Sequence, residues 1–171
     1  MNQKEAMKNI ADRPQAYYLV ILCVVLALTA VLALAQGSGQ SSAWDLPPGS
    51  SGLIQPQDLA KALQSGSAKL TVLYVGPHMM YAQAHIRGAE FIGPASSPQG
   101  LDNLRKRVAN LPRNSAIVIY CGCCPWEHCP NIRPAYNVLQ TMGFSKAKAL
   151  YIAHNFGTDW LENGYPAEKG Q

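Results

Sequence analysis

Four of the five cysteines in this chain lie in the run Cys121–Cys129, within the sequence Y-C-G-C-C-P-W-E-H-C-P-N-I-R that ends at Arg133. An apolar run, Ala116–Tyr120, precedes the first of them, and a helical pattern opens at Arg133. A thiol between a strand and a helix N-terminus lies where backbone N–H groups and the helix dipole favour a thiolate. The thiolate is the form that attacks, accepts sulfur or binds metal. The sequence therefore predicts that function resides in this run.

The cysteines that follow Cys121 leave three chemical roles open. Cys123, Cys124 and Cys129 can brace the loop as a disulfide, or one of them can act as a redox partner of Cys121. Cys129 is the better redox candidate, because near-adjacent cysteines close strained rings. With His128 the run also offers soft ligands for Zn, Cu(I) or an iron–sulfur centre. Its spacing matches no paired Cys-x2-Cys arrangement, and we therefore predict neither a metal nor a cofactor.

Strands and helices alternate in the remainder of the chain, and this order indicates an α/β domain with a largely parallel sheet. Ligand sites of such sheets lie beyond the carboxyl ends of the strands, where Cys121 is expected. Helices are predicted to begin at Pro56, to follow the apolar positions Leu101, Leu104, Val108 and Leu111, and to run from Ala135 to Met142, with short turns over Met79–Ala84 and Thr158–Asn163. Strands are predicted at Leu70–Val75, Ala89–Ile92, Ile117–Tyr120 and Ala149–Ile152.

The N-terminal part of the chain carries a membrane signal. The uncharged run Tyr17–Ala35 follows a basic tail, residues 1–16, and is long enough for a transmembrane anchor or a signal-peptide hydrophobic region. Residues 36–52 are rich in Gly, Ser, Gln and Pro, which is typical of a flexible linker. The folded domain is predicted over residues 53–171, on the extracytoplasmic, periplasmic side of the membrane, and released there if cleavage follows Ala35.

Composition narrows the classes of function. The 171 residues allow one ordinary domain and a tail, and 48% of them are hydrophobic and 14% charged. The net charge of +4 is modest, and its densest run, Arg105–Arg107, falls on a helical pattern as a solvated face. We therefore predict no nucleic-acid partner. No Gly-rich nucleotide loop and no Ser–His–Asp arrangement stands out in the sequence.

Taken together, several segments resemble those of a rhodanese domain, and the resemblance extends from Leu53 to Glu168. It implies a rhodanese-like α/β fold, with a largely parallel sheet flanked by helices, and a sulfurtransferase activity. The segments are Ala84–Ala89, similar to the family's Gly-His-Ile-Pro-Gly-Ala; Ile117–Cys121, similar to the strand before its active cysteine; Leu139–Phe144, similar to a helix end; and Trp160–Pro166, similar to its closing Trp…Gly-x-Pro.

The resemblance assigns a role to Cys121. Its thiolate would attack the outer sulfur of a small anionic donor, thiosulfate or a persulfide, and pass the sulfur to a thiol acceptor. Arg133 would pair with the donor, or else face solvent as a helix-start arginine. Cys129 is the candidate for a second loop cysteine in this chemistry. His85 occupies the position of the family's motif histidine and is expected to be structural.

The chain also departs from the family pattern. The early Asp-x-Arg of the family falls on Tyr74 and Gly76, and Arg133 lies twelve residues past Cys121, much farther than the family's arginine. That separation is too long for the phosphate cradle of the phosphatases that share this fold. The alternative function is a non-catalytic binding module, whose loop is braced by a disulfide or binds a metal and whose face docks another envelope protein.

Overall fold

The protein is described by a computed structural model over residues 51–66 and 69–170. Helices and strands alternate along this part of the chain, as predicted. The helices are α1 (Pro56–Ser65), α2 (His78–Gln83), α3 (Pro98–Val108) and α4 (Ile132–Thr141), with a 3-10 turn at Trp126–His128 and a π-helical turn at Gly157–Leu161. The strands are β1 (Leu53–Ile54), β2 (Leu70–Tyr74), β3 (His85–Ile86), β4 (Glu90–Phe91), β5 (Ala116–Tyr120), β6 (Lys148–Leu150) and β7 (Ala167–Glu168).

A five-stranded sheet in the order β1-β6-β5-β2-β4 forms the centre of the described part, and all its neighbouring strands run parallel. This confirms the predicted α/β class and the largely parallel sheet. Tyr74 and Tyr120, the last residues of β2 and β5, are paired in register. The two strands therefore end side by side, and the residues that follow them share one edge of the sheet. Strands β3 and β7 form a separate antiparallel pair.

Both faces of the sheet are covered, which explains why β2 and β5 read as continuous apolar runs. Because side chains alternate along a strand, neighbouring residues enter different cores. Leu73, Ile117 and Ile119 pack in one core with residues of α3 and α4. Val72, Val118 and Tyr120 pack in the other with residues of α1, α2 and the π-helical turn. Cys121, the next residue along β5, enters the first core.

The segment between β4 and α3 lies at the same edge of the sheet and is tightly fixed. The backbone N–H of Ala95 donates to the oxygen of Val75 over 3.1 Å, and Ser97 caps α3 by accepting from the N–H of Gly100 over 3.1 Å. A side chain at Gly100 would collide with the backbone oxygen of Pro94. The position of Ser96, between these anchors, is therefore set by the fold.

The predicted membrane segment Tyr17–Ala35, the tail before it and most of the predicted linker lie outside the described residues. Within the part that the structure describes, no helix is long and apolar enough to cross a membrane.

Candidate active site

Cys121 follows the last residue of β5, at the carboxyl edge of the sheet and between the ends of β6 and β2. Its side chain is almost completely buried, with 1% exposed, yet it contributes to the wall of a cavity of about 450 Å³. Apolar side chains, among them Met80, Phe156 and Leu161, form much of that wall, and Lys169 is its charged member. Cys121 therefore lies where an α/β sheet binds its ligands, as the sequence predicted.

The loop Cys121–Asn131, here called the cysteine loop, is held against the segment that follows β6. Gly122 has a φ of 73°, and its oxygen accepts from the N–H of Phe156 over 3.1 Å. A Cβ on Gly122 would lie 2.8 Å from the Cβ of Phe156, so only glycine fits there. Farther along, the N–H of Trp126 donates to the oxygen of Ala153 over 3.2 Å, and the Trp126 ring packs on Tyr151.

The cysteine loop brings its sulfurs together. The Sγ of Cys123 lies 3.1 Å from that of Cys121 and 3.2 Å from that of Cys124. The sulfurs of Cys121, Cys123 and Cys129 all lie within 4.8 Å of one another. All four cysteines of the loop are free thiols in this structure. Backbone hydrogen bonds and ring packing hold the loop in place.

Asn131, the last residue of the cysteine loop, places a polar side chain beside this cluster. Its side chain is buried, with 2% exposed, and its Oδ1 accepts from the backbone N–H of Ser96 over 2.9 Å. That bond leaves the amide N–H₂ to donate to the sulfur of Cys121 over 3.4 Å and to that of Cys123 over 3.8 Å. Sequence reasoning missed this residue. Its signal was an asparagine directly before a helix, which normally predicts a cap, but it makes no side-chain capping bond.

The negative charge of the cluster is placed on Cys129. Hydrogen bonds from Cys121 and Cys123, joined by backbone N–H groups of Asn131 and Ile132 at the start of α4, lower the pKa of Cys129 to about 2 against the effect of burial. The hydrogen bond with Cys123 opposes the change at Cys121, but the bond with Cys129 and burial raise the pKa of Cys121 to about 12. The sequence predicted that the N–H groups at the helix N-terminus stabilise a thiolate on Cys121. In the structure, these groups donate to Cys129 instead.

A second polar group borders the sulfur of Cys121. The hydroxyl of Tyr74, whose side chain is 2% exposed, has no hydrogen-bond partner among the described residues. A Cβ built on Gly76 would lie 2.6 Å from this hydroxyl and 2.8 Å from the sulfur of Cys121, so both groups border one point. Burial, followed by the charges of the cysteine cluster, raises the pKa of Tyr74, which keeps the hydroxyl a donor. Tyr74 and Gly76 occupy the two positions at which the family has the Asp and the Arg of its early Asp-x-Arg.

The remaining candidates lie apart from the cavity. Arg133 is half-buried in the first turn of α4 and is not among the residues that line the cavity, so its pairing with a donor stays a prediction. His128 is exposed in the 3-10 turn. His85 is buried, contacts the backbone oxygen of Tyr81 over 2.8 Å and the carboxylate of Glu168 over 3.2 Å, and stacks on the Tyr81 ring. These contacts fit the structural role expected of His85.

The sequence profile of the rhodanese-like domain matches residues 55–153, which is more than half of the chain and includes the whole cysteine loop. The chain belongs to the rhodanese-like family. This confirms the resemblance drawn from the sequence, and the clustered thiols are consistent with an enlarged, cysteine-rich loop in this rhodanese-like domain. No curated protein matches the chain.

Solved structures share the fold of this rhodanese-like domain. A Bacillus halodurans protein is 21% identical, with a TM-score of 0.54 over 70% of this chain and 77% of its own. The rhodanese-like domain of an Anabaena protein is 22% identical, with a TM-score of 0.51 over 69% of this chain and 79% of its own. A Lactobacillus plantarum protein is 23% identical, with a TM-score of 0.52 over 69% of this chain and 88% of its own. At these identities the similarity establishes the fold alone.

Proposed function

We propose that this rhodanese-like protein is a sulfurtransferase that forms a persulfide on Cys121 and passes the sulfur to a thiol acceptor. The observation that carries the proposal is the position of Cys121. It lies at the carboxyl end of a central strand, in the wall of the 450 Å³ cavity and in contact with other thiols.

The first step joins the sulfur of Cys121 to the outer sulfur of the donor. With thiosulfate, the sulfur–sulfur bond of the donor breaks, sulfite leaves with the bonding electrons, and Cys121 becomes Cys–S–S⁻. The thiol proton of Cys121 is released to solvent as the new sulfur–sulfur bond forms, and Cys129 stays a thiolate. In the second step a thiolate attacks the outer sulfur, which leaves as the acceptor's persulfide and restores Cys121.

Donors around Cys121 support an anionic persulfide. Asn131 already donates to the sulfur, and the hydroxyl of Tyr74, which has no partner among the described residues, borders the same atom and would donate to the added sulfur. Such preorganised donors stabilise a developing anion more effectively in a buried site than in water. Lys169 in the cavity wall supplies a positive charge for an anionic donor molecule.

Cys129 gives the site a second, redox branch. Its sulfur lies within 4.8 Å of that of Cys121, and its thiolate would attack the inner sulfur of the persulfide once solvent has protonated it to Cys121–S–SH, which expels hydrosulfide and leaves a Cys121–Cys129 disulfide. Two electrons from external thiols then restore both cysteines, with oxidation of those thiols to a disulfide. The loss of a proton from Cys129 before the attack is favoured by the N–H groups at the start of α4.

The place of this reaction is also part of the proposal. The apolar run Tyr17–Ala35 and the basic residues before it support a membrane-anchored or exported protein, with the sulfurtransferase on the periplasmic side. Donor and acceptor would then be periplasmic, or presented by another envelope protein. A reporter-enzyme fusion at the C-terminus, active only outside the cytoplasm, tests this orientation, and a reporter active only in the cytoplasm would contradict it.

The test of sulfur transfer uses the full-length protein with thiosulfate as donor and cyanide as acceptor. Intact-mass analysis of Cys129→Ser, in which the persulfide is not converted to a disulfide, should find a reducible adduct of about 32 Da on Cys121, and thiocyanate should form in turnover of the parent protein. In the same backgrounds, Cys121→Ser should lose both signals, while the matched control Cys124→Ser keeps them, because Cys124 does not line the cavity. An adduct mapped to another cysteine would contradict the proposal, as would the absence of any adduct with both thiosulfate and a small-molecule persulfide. Either result would favour the alternative function, a non-catalytic binding module.

A further inference from the structure

We propose that Cys121, Cys123 and Cys129 form a three-coordinate binding site for a soft monovalent metal ion, Cu(I). This ligand goes beyond sulfur transfer and does not depend on it. The site uses three of the four loop thiols, and the structure, rather than the spacing of the cysteines, selects which three.

The distances suit a shared ion. A thiolate sulfur binds a metal such as zinc at about 2.3 Å, so two sulfurs on one ion lie no more than about 4.6 Å apart. The sulfurs of Cys121, Cys123 and Cys129 lie within 4.8 Å of one another, and the first two are 3.1 Å apart. Shifts of a few tenths of an ångström, on the order of normal side-chain motion, would bring all of them onto one ion.

The ligand set favours Cu(I) over zinc. Soft thiolates select Cu(I), Zn and iron–sulfur clusters, and structural zinc sites are almost always tetrahedral with four protein ligands. In the described part of the chain, no further Cys, His, Asp or Glu atom joins this group of three. Cys124 contacts the sulfurs of Cys123 and Cys129, but its own sulfur is not within 4.8 Å of all three, and His128 lies in an exposed turn. An all-sulfur set of three suits Cu(I), which accepts trigonal thiolate coordination.

The surroundings fix the ligands and offset their charge. Asn131 donates to the sulfurs of Cys121 and Cys123, and backbone N–H groups of Asn131 and Ile132 donate to that of Cys129. Outer hydrogen bonds of this kind orient metal ligands and tune their affinity. Asn131 is itself held by the N–H of Ser96. The site is therefore largely formed before the ion arrives, which lowers the cost of binding.

If the proposed function holds, Cu(I) binding and sulfur transfer compete for Cys121. Cys121 cannot hold a metal and a transferable sulfur on the same lone pairs, so Cu(I) and persulfide formation exclude each other. Copper would then inhibit sulfur transfer, and a copper chelator would restore it.

The experiment titrates the full-length protein, in a Cys23→Ser background, with Cu(I) under anaerobic reducing conditions against a chromophoric Cu(I) chelator. A single ion should bind. Cys123→Ser should weaken binding by more than about 100-fold, and Asn131→Ala by about tenfold, the cost typical of an outer-shell partner. Cys124→Ser is the matched control and should bind as the parent does. X-ray absorption of the parent protein, which needs no variant to fold, should find three sulfur ligands.

Several results would overturn the site. Two-sulfur coordination, a nitrogen ligand, or equal losses in Cys123→Ser and Cys124→Ser would contradict the assignment, as would tighter binding of Zn(II) with four protein ligands. The thiosulfate–cyanide assay is run separately on the metal-free protein. Copper binding without a Cys121 persulfide would therefore defeat the proposed function alone, and a persulfide without copper binding would defeat this inference alone.

Discussion

The side-chain amide of Asn131 donates a hydrogen bond to the sulfur of Cys121 over 3.4 Å. The two residues are ten positions apart, at opposite ends of the cysteine loop, and the bond closes that loop around the sulfur cluster. Because the Oδ1 of Asn131 is held by Ser96, the amide cannot turn away without breaking a second bond. Asn131 therefore orients Cys121 and offers a donor to any negative charge that forms there.

Replacing this amide tests its role. Asn131→Asp keeps the shape, removes the donor and adds negative charge beside the sulfurs, so persulfide formation on Cys121 should slow by at least about tenfold. The free energy of unfolding should fall by about 1–3 kcal/mol. Mass spectrometry of samples quenched at successive times measures the rate of persulfide formation. Urea unfolding measures the stability. Asn103→Asp is the control, because Asn103 donates to the oxygen of Ile92 over 3.0 Å, outside the cluster. Equal rates in Asn131→Asp and the parent would remove Asn131 from the site.

Cys129 should determine whether the persulfide on Cys121 is converted to a disulfide within the protein. In the absence of external thiol, the parent protein loaded with sulfur should release hydrosulfide and form a Cys121–Cys129 disulfide, since the sulfurs lie within 4.8 Å. Cys129→Ser should accumulate the persulfide and release none. A hydrosulfide probe and peptide mapping under non-reducing conditions measure both products, with Cys124→Ser as the control. Release of hydrosulfide by Cys129→Ser at the parent's rate would exclude this branch.

The thiolate of Cys129 makes stability depend on pH in a defined direction. Its pKa is lowered from 9.0 to about 2, so between these values the unfolded chain binds a proton that the folded protein does not. Stability should therefore rise with pH over this interval, and this contribution is lost as the pH falls toward about 2. The opposite holds for Cys121 between 9.0 and about 12, where stability should fall as pH rises.

The measurement compares urea unfolding of the parent and Cys129→Ser between about pH 4 and pH 8, where the acidic loss of stability should be smaller in the variant. Ultraviolet thiolate absorbance gives a second readout. It should persist in the folded parent at about pH 5 and be absent from Cys129→Ser. If absorbance at that pH followed Cys121→Ser instead, the charge would belong to Cys121.

Replacing Tyr74 by Phe should lower the sulfur-transfer activity without lowering the stability of the fold. Tyr74→Phe removes a buried hydroxyl that lacks a partner among the described residues, so the free energy of unfolding should stay the same or rise by about 1 kcal/mol. Sulfur transfer should nevertheless fall by about tenfold or more, because the hydroxyl is a donor beside Cys121. Thermal unfolding and thiocyanate formation are measured on the same preparations.

Tyr81→Phe is the matched control for Tyr74→Phe. The hydroxyl of Tyr81 donates to the oxygen of Ala89 over 2.7 Å, away from the cavity wall, so its loss should cost about 1 kcal/mol of stability and leave sulfur transfer intact. A Tyr74→Phe variant that is less stable but fully active would show that its hydroxyl serves the fold and not the reaction.

Local sequence patterns predicted the main elements because their causes are local. The spacing of Leu101, Leu104 and Val108 indicated the apolar face of a helix, and the continuous apolar run over β2 indicated a strand buried on both faces. The two-residue strands β1, β3 and β7 were not predicted, since so short a segment shows no periodicity and exists only through its partner. The predicted membrane segment Tyr17–Ala35 stays a prediction.

By itself, the sequence determined the rhodanese-like α/β class and placed a cysteine-rich loop at the carboxyl end of a strand. Only the tertiary structure decided the chemistry around that cysteine. Asn131 reaches Cys121 because the loop folds back on itself, and Tyr74 reaches it because β2 and β5 end in register. The N–H groups at the start of α4 meet Cys129 and not Cys121. Periodicity is a property of neighbouring residues along the chain, whereas a pKa or a hydrogen bond depends on atoms that only packing brings together.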